Sequence, residues 1–246
     1  ARALEVHGPL LEAIAGVEAA LLGPAARPLQ ETTWWTPLLL RWRYYVCSLL
    51  SWGLLPEHIV AEAGQVLKQH GAVGILDPFA GSGWHARLWR DLGGLEAVAL
   101  DCYAGQPVAW SEVAVVADAR LYQDFTGADV PSVRPLGNWA LHLSWPPHAP
   151  ETVGVDVLRA WRGGFLIYLG ERAAADAWVP KDMGLTGGQE LLAEIDRAWE
   201  PLRTWNIPRW PGYHDDLTIY GRRRGDLSRG PGCSSALSQS ISVDVS

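Results

Sequence analysis

A short run of small residues in the first half of the chain has the composition of a ligand-binding turn. It reads Asp-Pro-Phe-Ala-Gly-Ser-Gly from Asp77 to Gly83 and follows the apolar pair Ile75-Leu76. Gly81 and Gly83 permit positive φ angles and let the backbone come close to a ligand. A helix that begins directly after the turn would present N–H groups to a carboxylate or a phosphate. The turn therefore indicates a nucleotide-like cofactor, and dinucleotide-binding enzymes use the same physics.

Two acidic residues follow at the ends of later apolar stretches. Asp101 ends the stretch Ala97–Leu100 and lies 20 residues after Gly81. At that spacing, a carboxylate can accept both ribose hydroxyls of an adenosine. Asp118, followed by Ala119, ends a further stretch and could accept from an adenine amino group. The alternative for Asp101 is an aspartate that only caps a turn.

A proline-containing loop, Ser144-Trp145-Pro146-Pro147-His148, follows the fourth apolar stretch. Two prolines stiffen the backbone and leave carbonyl groups without partners in a β-ladder. Rigid carbonyls beside a cofactor can receive the N–H or O–H of a nucleophile and orient its lone pair. His148 could act as a general base, since an imidazole titrates near neutral pH, or it could be a solvated loop histidine.

Three weaker candidates are predicted on the substrate side. Glu171 ends the fifth strand and would either orient a substrate or begin a helix. His214 stands next to Asp215 in a loop, where the pair is either catalytic or part of a turn with Asx-type hydrogen bonds. The residues predicted to line a substrate pocket are aromatic: Trp34, Trp35, Tyr45 and Tyr168.

The elements that must position these residues alternate between strands and helices from residue 73 onward. Such alternation predicts βαβ units and a mostly parallel sheet. The predicted strands are Val73–Phe79, Ala97–Cys102, Val113–Ala117, Ala140–Trp145, Phe165–Gly170, Arg203–Ile207 and Leu217–Gly221, and the predicted helices are His85–Leu92, Glu151–Trp161 and Gln189–Trp199. Only a loop joins the last two strands, so they should be antiparallel.

Helical periodicity without strand alternation covers residues 1–72, which we predict to form a helical cap or substrate lid. Its helices are predicted near residues 4–21, from Pro37 to about Leu54 and from Pro56 to His70. The cofactor-binding domain would occupy residues 73–224. Residues 225–246 are rich in Ser and Gly and are predicted to be a low-complexity tail.

The composition limits the classes of function. Of 246 residues, 20 are Lys or Arg and 27 are Asp or Glu, a formal charge of −7, which argues against a nucleic-acid partner. The three cysteines have no metal-type spacing, so we expect free thiols and no metal. Without a recognisable signal peptide or membrane helix, the expectation is a cytoplasmic protein. The 14 tryptophans suit both a core and pockets for flat or cationic ligands.

Taken in order, these motifs resemble the class I S-adenosylmethionine-dependent methyltransferases over roughly residues 73–223. The look-alikes nearest in pattern carry an Asp/Asn-Pro-Pro-Tyr/Phe/Trp loop. The resemblance implies a Rossmann-like α/β fold with S-adenosylmethionine as cofactor. Asp77 would face its amino group, Gly81 and Gly83 its methionine portion, Asp101 its ribose, and Asp118 with Ala119 its adenine. The full predicted cofactor set is Asp77, Phe79, Ala80, Gly81, Ser82, Gly83, Asp101, Cys102, Asp118, Ala119 and Ser144.

The proline loop departs from the family pattern, because Trp145 stands where amino-directed members have Asp or Asn. We therefore expect methyl transfer to a nitrogen, oxygen or activated carbon of a small, flat molecule, with the catalytic candidates Trp145, Pro146, Pro147, His148, Glu171 and His214. Three alternatives stay open. They are a nucleic-acid or protein amino-methyltransferase, a dinucleotide-dependent oxidoreductase, and a relative that binds the cofactor without transferring a methyl group. The first requires a basic lane beside the site, which could be supplied by Arg41, Arg43, Arg87, Arg90 and Arg222–Arg224. The sequence makes no prediction of the oligomeric state.

Overall fold

The computed structural model describes residues 43, 45–102, 108–115, 136–146, 152–172, 186–210 and 213–223. Several predicted features lie outside these ranges. They are the helix near residues 4–21, the tail 225–246, and the site candidates Trp34, Trp35, Asp118, Ala119, Pro147 and His148.

A seven-stranded sheet in the order β3-β2-β1-β4-β5-β7-β6 forms the centre of the molecule. The strands are β1 Gly74–Asp77, β2 Glu96–Asp101, β3 Val113–Val115, β4 Trp139–Ser144, β5 Phe165–Glu171, β6 Trp199–Asn206 and β7 Asp215–Arg222. Strands β1 to β5 pair in parallel, whereas β7 is antiparallel to both β5 and β6. The predicted Rossmann-like α/β fold with a final antiparallel pair is confirmed.

The strand order brings the candidate site residues at the carboxyl ends of the parallel strands to one edge of the sheet. Strand β1 pairs with β2 on one side and β4 on the other, so the direction of winding reverses between β1 and β4. Ligands bind outside the carboxyl ends of the strands at such a reversal. Because β7 runs the opposite way, its first residue, Asp215, lies opposite Glu171, the last residue of β5.

Four helices cover the sheet: α1 Glu57–Gln69, α2 Trp84–Leu88, α3 Thr152–Ala160 and α4 Gly188–Ala198. The predicted helix at residues 85–92 is split, because α2 passes into a π-helical turn at Trp89–Gly93. Strands β6 and β7 are longer than predicted, so β6 begins directly after α4. Residues 45–49 are helical as well, within the range predicted from Pro37 to Leu54.

Two hydrophobic cores lie on opposite faces of the sheet, as expected for strands with helices on both sides. Helix α1 buries Ile59, Val60, Ala63 and Leu67, at steps of one to four residues along one face, in the core that contains Ile75 of β1. Helices α3 and α4 contribute Leu158 and Leu191 to the other core. Residues 57–69 of the predicted cap are therefore packed directly on the sheet.

Within the described residues, no helix combines the length and the apolar character needed to cross a bilayer.

Candidate active site at the carboxyl edge of the sheet

The turn between β1 and α2 is held by hydrogen bonds to the neighbouring strand. Gly81 has φ +52° and Gly83 has φ +74°, which are left-handed conformations suited to glycine. The Gly81 N–H donates to Asp101 Oδ2 at 2.7 Å, and the Ala80 N–H donates to the Leu100 carbonyl at 3.0 Å. The end of β2 thus fixes the shape of the turn that follows β1.

The two glycines of the turn have different surroundings. A Cβ built on Gly81 would meet no heavy atom of the described residues within 4 Å, whereas a Cβ on Gly83 would overlap Ser111 Oγ and lie 2.9 Å from Val113 Cγ2. Gly81 therefore leaves one side of the turn open to a close ligand. Gly83 is required for contact with the chain before β3.

Asp77 points into the interior of the protein. Asp77 is only 1% exposed, and its Oδ2 lies 3.3 Å from Nδ1 of His142 on β4. His85 of α2 stacks edge-on against His142, with ring centroids 5.1 Å apart. Burial, followed by the neighbouring His142, lowers the pKa of His85 to about 3, so its imidazole is neutral.

Trp145, the first residue after β4, has an unusual backbone conformation. Its φ is +47°, the one positive value for a residue other than glycine in the described part of the chain. A bulky residue in this region is an outlier, and such outliers cluster at functional sites. The Trp145 N–H donates to the Leu169 carbonyl at 3.0 Å, and Nε1 donates to Asp215 Oδ2 at 2.9 Å.

Two buried carboxyl groups, Glu171 and Asp215, face each other across the β5–β7 pairing. Glu171 Oε1 accepts from the His214 N–H at 2.8 Å, while Glu171 Oε2 and Asp215 Oδ1 have no hydrogen-bond partner within the described residues. Burial is the main cause that raises the pKa of Asp215 to about 7, and Glu171 raises it further. Burial also raises the pKa of Glu171. Asp215 can therefore take up and release a proton near neutral pH.

An aromatic cluster surrounds the side chain of Arg43, which is 8% exposed. Four rings lie within 4.1 to 6.0 Å of its guanidinium carbon: Trp52, Trp145, Trp210 and Tyr213. Nη1 of Arg43 donates to the Tyr213 hydroxyl at 3.0 Å, whereas Nε and Nη2 have no partner among the described residues. We call these four rings with Arg43, Glu171 and Asp215 the acceptor pocket.

The segment 49–53 connects the turn to the acceptor pocket. On the turn side, the Leu50 carbonyl accepts from Ser82 Oγ at 2.5 Å, and Ser51 Oγ lies 2.8 Å from His85 Nε2. On the pocket side, the Trp52 carbonyl accepts from Trp210 Nε1 at 3.0 Å. One short piece of chain therefore contacts both halves of the site.

The structure places the other predicted site residues as follows. Phe79, Cys102 and Ser144 are half-buried at the same edge, and Pro146 is buried against Gly154 of α3. Tyr45 is 53% exposed and His214 is exposed, so the contact of His214 with Glu171 is made by its backbone. Tyr168 is buried in the core under α3 and α4, where its hydroxyl donates to the Glu171 carbonyl at 3.1 Å.

The arginines considered as a basic lane do not line one groove in the described part of the chain. Arg43 is enclosed by the aromatic cluster, and Arg87 pairs with Asp91 at 2.6 Å. Arg222 ends β7 at the opposite edge of the sheet and donates to the Trp161 carbonyl at 2.7 Å.

The predicted site set omitted Trp52, His85, His142 and Trp210. Asp215 was considered only as the neighbour of His214, and Arg43 only as one arginine of a basic lane. His142 carried a usable signal, since it is a single polar residue inside the apolar strand Ala140–Leu143. Asp215 stood beside His214, and the histidine was preferred because imidazole titrates near neutral pH without help. Arg43 and Asp215 are far apart in the chain and meet only in the fold.

No protein-family model and no curated protein matches this chain. Among solved structures it is similar to the N-methyltransferase NodS from Bradyrhizobium japonicum WM9, with 14% identity over 66% of this chain and 93% of NodS and a TM-score of 0.40. The match to TrmN from Thermus thermophilus has 16% identity over 69% of this chain, spans 49% of TrmN and has a TM-score of 0.38. The O-methyltransferase from Bacillus cereus shares 12% identity over 86% of this chain and 99% of its own, with a TM-score of 0.47. These values are too low to assign an activity to this chain.

Proposed function

We propose that this protein is an S-adenosylmethionine-dependent methyltransferase that acts on a nitrogen, oxygen or activated carbon of a small, flat, polar molecule. The observation that carries the proposal is the shared edge of the sheet. A glycine turn bound to a strand-end aspartate lies there beside a buried cluster of aromatic rings and carboxyl groups.

The residues of the turn fit the proposed cofactor. Gly81 has an open side on which a ligand can approach the backbone. Asp101 already orders the turn through one carboxylate oxygen, and it stands at the strand position from which an acid can accept ribose hydroxyls. When bound, S-adenosylmethionine would supply an electrophilic methyl group next to the carboxyl ends of β1 and β4.

The acceptor pocket fits a flat molecule that both donates and accepts hydrogen bonds. The Trp145 and Tyr213 rings, with centroids 5.0 Å apart, offer stacking surfaces. Nε and Nη2 of Arg43 can donate to a carbonyl or ring nitrogen, and Glu171 Oε2 and Asp215 Oδ1 can accept an N–H or O–H. A substrate that satisfies these buried groups is selected over one that leaves them unpaired.

Asp215 is the group that we assign as general base. Its Oδ2 is fixed by Trp145, which leaves Oδ1 to receive the proton of the acceptor atom. A base with a pKa near the working pH combines the correct protonation state with sufficient basicity. Trp145 positions this carboxyl group, and the other rings exclude water from it.

Calorimetric titration tests the cofactor. The wild-type protein should bind S-adenosylmethionine and S-adenosylhomocysteine but not NAD, and binding of the nicotinamide alone would overturn the proposal. Asp101→Asn keeps an oxygen for the Gly81 N–H but loses the charged acceptor for the ribose. It should therefore weaken cofactor binding by about 1.5–3 kcal/mol, the value of hydrogen bonds to a charged group.

Turnover tests the acceptor side. Production of S-adenosylhomocysteine can be followed with a panel of flat heterocyclic amines and phenols between pH 5 and pH 9. The rate should rise through about pH 7, as Asp215 loses its proton. Asp215→Asn should abolish turnover while leaving cofactor affinity unchanged.

A further inference from the structure

A second cluster of polar residues lies beneath the site, on the face of the sheet covered by α1 and α2. It consists of Asp77 at the end of β1, His85 of α2 and His142 of β4, all at most 3% exposed. Each offers one potential ligand atom, and these three atoms lie within 4.8 Å of one another. The three side chains come from three elements, so their spacing in the sequence gave no metal-type pattern.

The hydrogen bonds of this cluster are incomplete. Asp77 Oδ1 and both ring nitrogens of His142 are buried and have no hydrogen-bond partner within the described residues. Asp77 Oδ2 and His142 Nδ1 are 3.3 Å apart without the geometry of a hydrogen bond. Leaving buried polar groups unsatisfied costs about 1–3 kcal/mol each, so such a concentration needs a physical explanation.

We propose that Asp77, His85 and His142 bind a divalent transition-metal ion of the Zn²⁺ type. Two imidazoles and one carboxylate are a donor set that suits zinc and neighbouring first-row metals. An ion bound by all three would satisfy atoms of Asp77 and His142 that the protein leaves unpaired.

The distances are compatible with this assignment. Ligand atoms about 2.0–2.1 Å from a tetrahedral ion lie about 3.3 Å apart, and this is the separation of Asp77 Oδ2 and His142 Nδ1. The three potential ligand atoms lie within 4.8 Å of one another, so the third would have to move by up to about 1.5 Å to complete the site. His85 Nε2 lies 2.8 Å from Ser51 Oγ and 3.1 Å from the Gly53 carbonyl, so hydrogen bonds to segment 49–53 hold the ring of His85 in place.

The surroundings indicate a structural ion. Trp89 stacks edge-on against His142 at 5.8 Å, and the rest of the enclosure is the apolar core of α1 and α2. The ion would join the ends of β1 and β4 to α2, directly under the turn Asp77–Gly83. The inference does not depend on the proposed methyl transfer, because the metal can be measured without a cofactor.

The experiment measures the metal content of the full chain, purified from cells grown with added zinc, by inductively coupled plasma mass spectrometry. About one equivalent of zinc per chain is expected. After removal by a chelator and addition of Co²⁺, the visible absorption of four-coordinate cobalt should appear, and Mg²⁺ should not compete. Less than a tenth of an equivalent of metal together with no cobalt spectrum would overturn the inference.

Matched variants locate the ion. His142→Gln and Asp77→Asn should lower zinc affinity by more than the roughly 10–100-fold that loss of an outer-sphere partner costs. The exposed histidines of the same region, His58 and His70, provide the controls His58→Gln and His70→Gln, which should keep full zinc content. Equal zinc content in all four variants would overturn the inference. Zinc content and S-adenosylmethionine binding are measured on the same proteins. A protein that holds zinc but binds no S-adenosylmethionine would contradict the proposed function alone, and one that binds S-adenosylmethionine but holds no zinc would contradict this inference alone.

Discussion

Trp145 keeps an unfavourable backbone conformation because its side chain is fixed from several directions. Its indole donates to Asp215, lies 5.8 Å from the ring of Trp52 and contacts the guanidinium of Arg43. A left-handed conformation costs a residue with a Cβ about 1–2 kcal/mol. The contacts that offset this cost also aim the indole N–H at Asp215, so the strain and the proposed base belong to one arrangement.

Asp215→Asn should stabilise the protein above neutral pH. The pKa of Asp215 is raised from 3.8 to about 7, so between these values the folded protein binds more protons than the unfolded chain. Its free energy of unfolding therefore falls as pH rises from about 4 to 7 and stays low above 7. Asp215→Asn has no buried carboxylate at this position to destabilise the fold at high pH. At about 1.4 kcal/mol per pKa unit, the variant should be more stable than the wild type at pH 8 by up to about 4 kcal/mol.

Urea denaturation of both proteins at pH 5 and pH 8 measures this difference. The adjacent Asp216 supplies the control, because it is half-buried and pairs with Arg209 at 2.6 Å. Asp216→Asn should leave the fall in stability between pH 4 and 7 in place. An equal fall in wild type and Asp215→Asn would show that Asp215 is not the group responsible.

At the scale of elements, the two glycines of the turn between β1 and α2 have different roles: Gly81 leaves space for a ligand, and Gly83 allows close packing against Ser111. Gly81→Ala should destabilise the fold by only about 1–2 kcal/mol, the cost of a Cβ in the left-handed region. It should nevertheless weaken cofactor binding, since the new methyl group enters the open side of the turn. Gly83→Ala should cost about 2–5 kcal/mol, because overlap with Ser111 adds to the backbone cost.

Thermal denaturation and calorimetry measure the two effects separately. The double variant Gly83→Ala/Ser111→Ala removes the overlapping hydroxyl and should regain part of the steric loss, since the 2.9 Å contact with Val113 Cγ2 remains. If the two glycine variants were equally destabilised, the assignment of Gly83 to packing would be wrong.

The sequence predicted these elements well where the information is local. The periodic apolar residues of α1, the buried strand before Asp77 and the aspartate that ends β2 are all readable over a few residues. The division of the predicted helix at 85–92 was not predicted, because the π-helical turn follows from tertiary contact. Gly64 of α1 packs against the Gly93 backbone that ends the turn.

The acceptor pocket was not predictable in this way. Arg43 and Tyr213 are hydrogen-bonded across 170 residues of chain, and Trp145 and Asp215 across 70. No local pattern indicates such pairs, and the raised pKa of Asp215 exists only after burial. The turn and the aspartate of the next strand end were predicted together. Trp145, Glu171 and Asp215 were each named from the sequence, but the contacts that join them were not predicted.

At the scale of the whole molecule, segment 49–53 couples the two halves of the site. A Cβ on Gly53 would overlap Leu169 Cδ2 and lie 3.0 Å from Ser144 Oγ. Gly53→Ala should therefore cost about 1–3 kcal/mol of stability and weaken both cofactor binding and turnover, because the segment contacts the turn and the pocket. Leu169 is fully buried, so Leu169→Ala has its own cost. The double variant Gly53→Ala/Leu169→Ala should lose less stability than the sum of the two single losses, as a double-mutant cycle of equilibrium unfolding would measure. Strict additivity of the two substitutions would contradict the contact.

The reversed direction of β7 also has an evolutionary consequence. Because β7 is antiparallel to β5, the loop that enters it, and not one that leaves it, reaches the functional edge. That loop supplies Trp210, Tyr213 and the approach to Asp215, while the glycine turn and Asp101 belong to the opposite half of the sheet. On the proposed function, mutations in the β6–β7 loop would change which molecule is accepted while leaving the proposed cofactor contacts of the glycine turn in place. Exchange of this loop would then be a direct route to other acceptors.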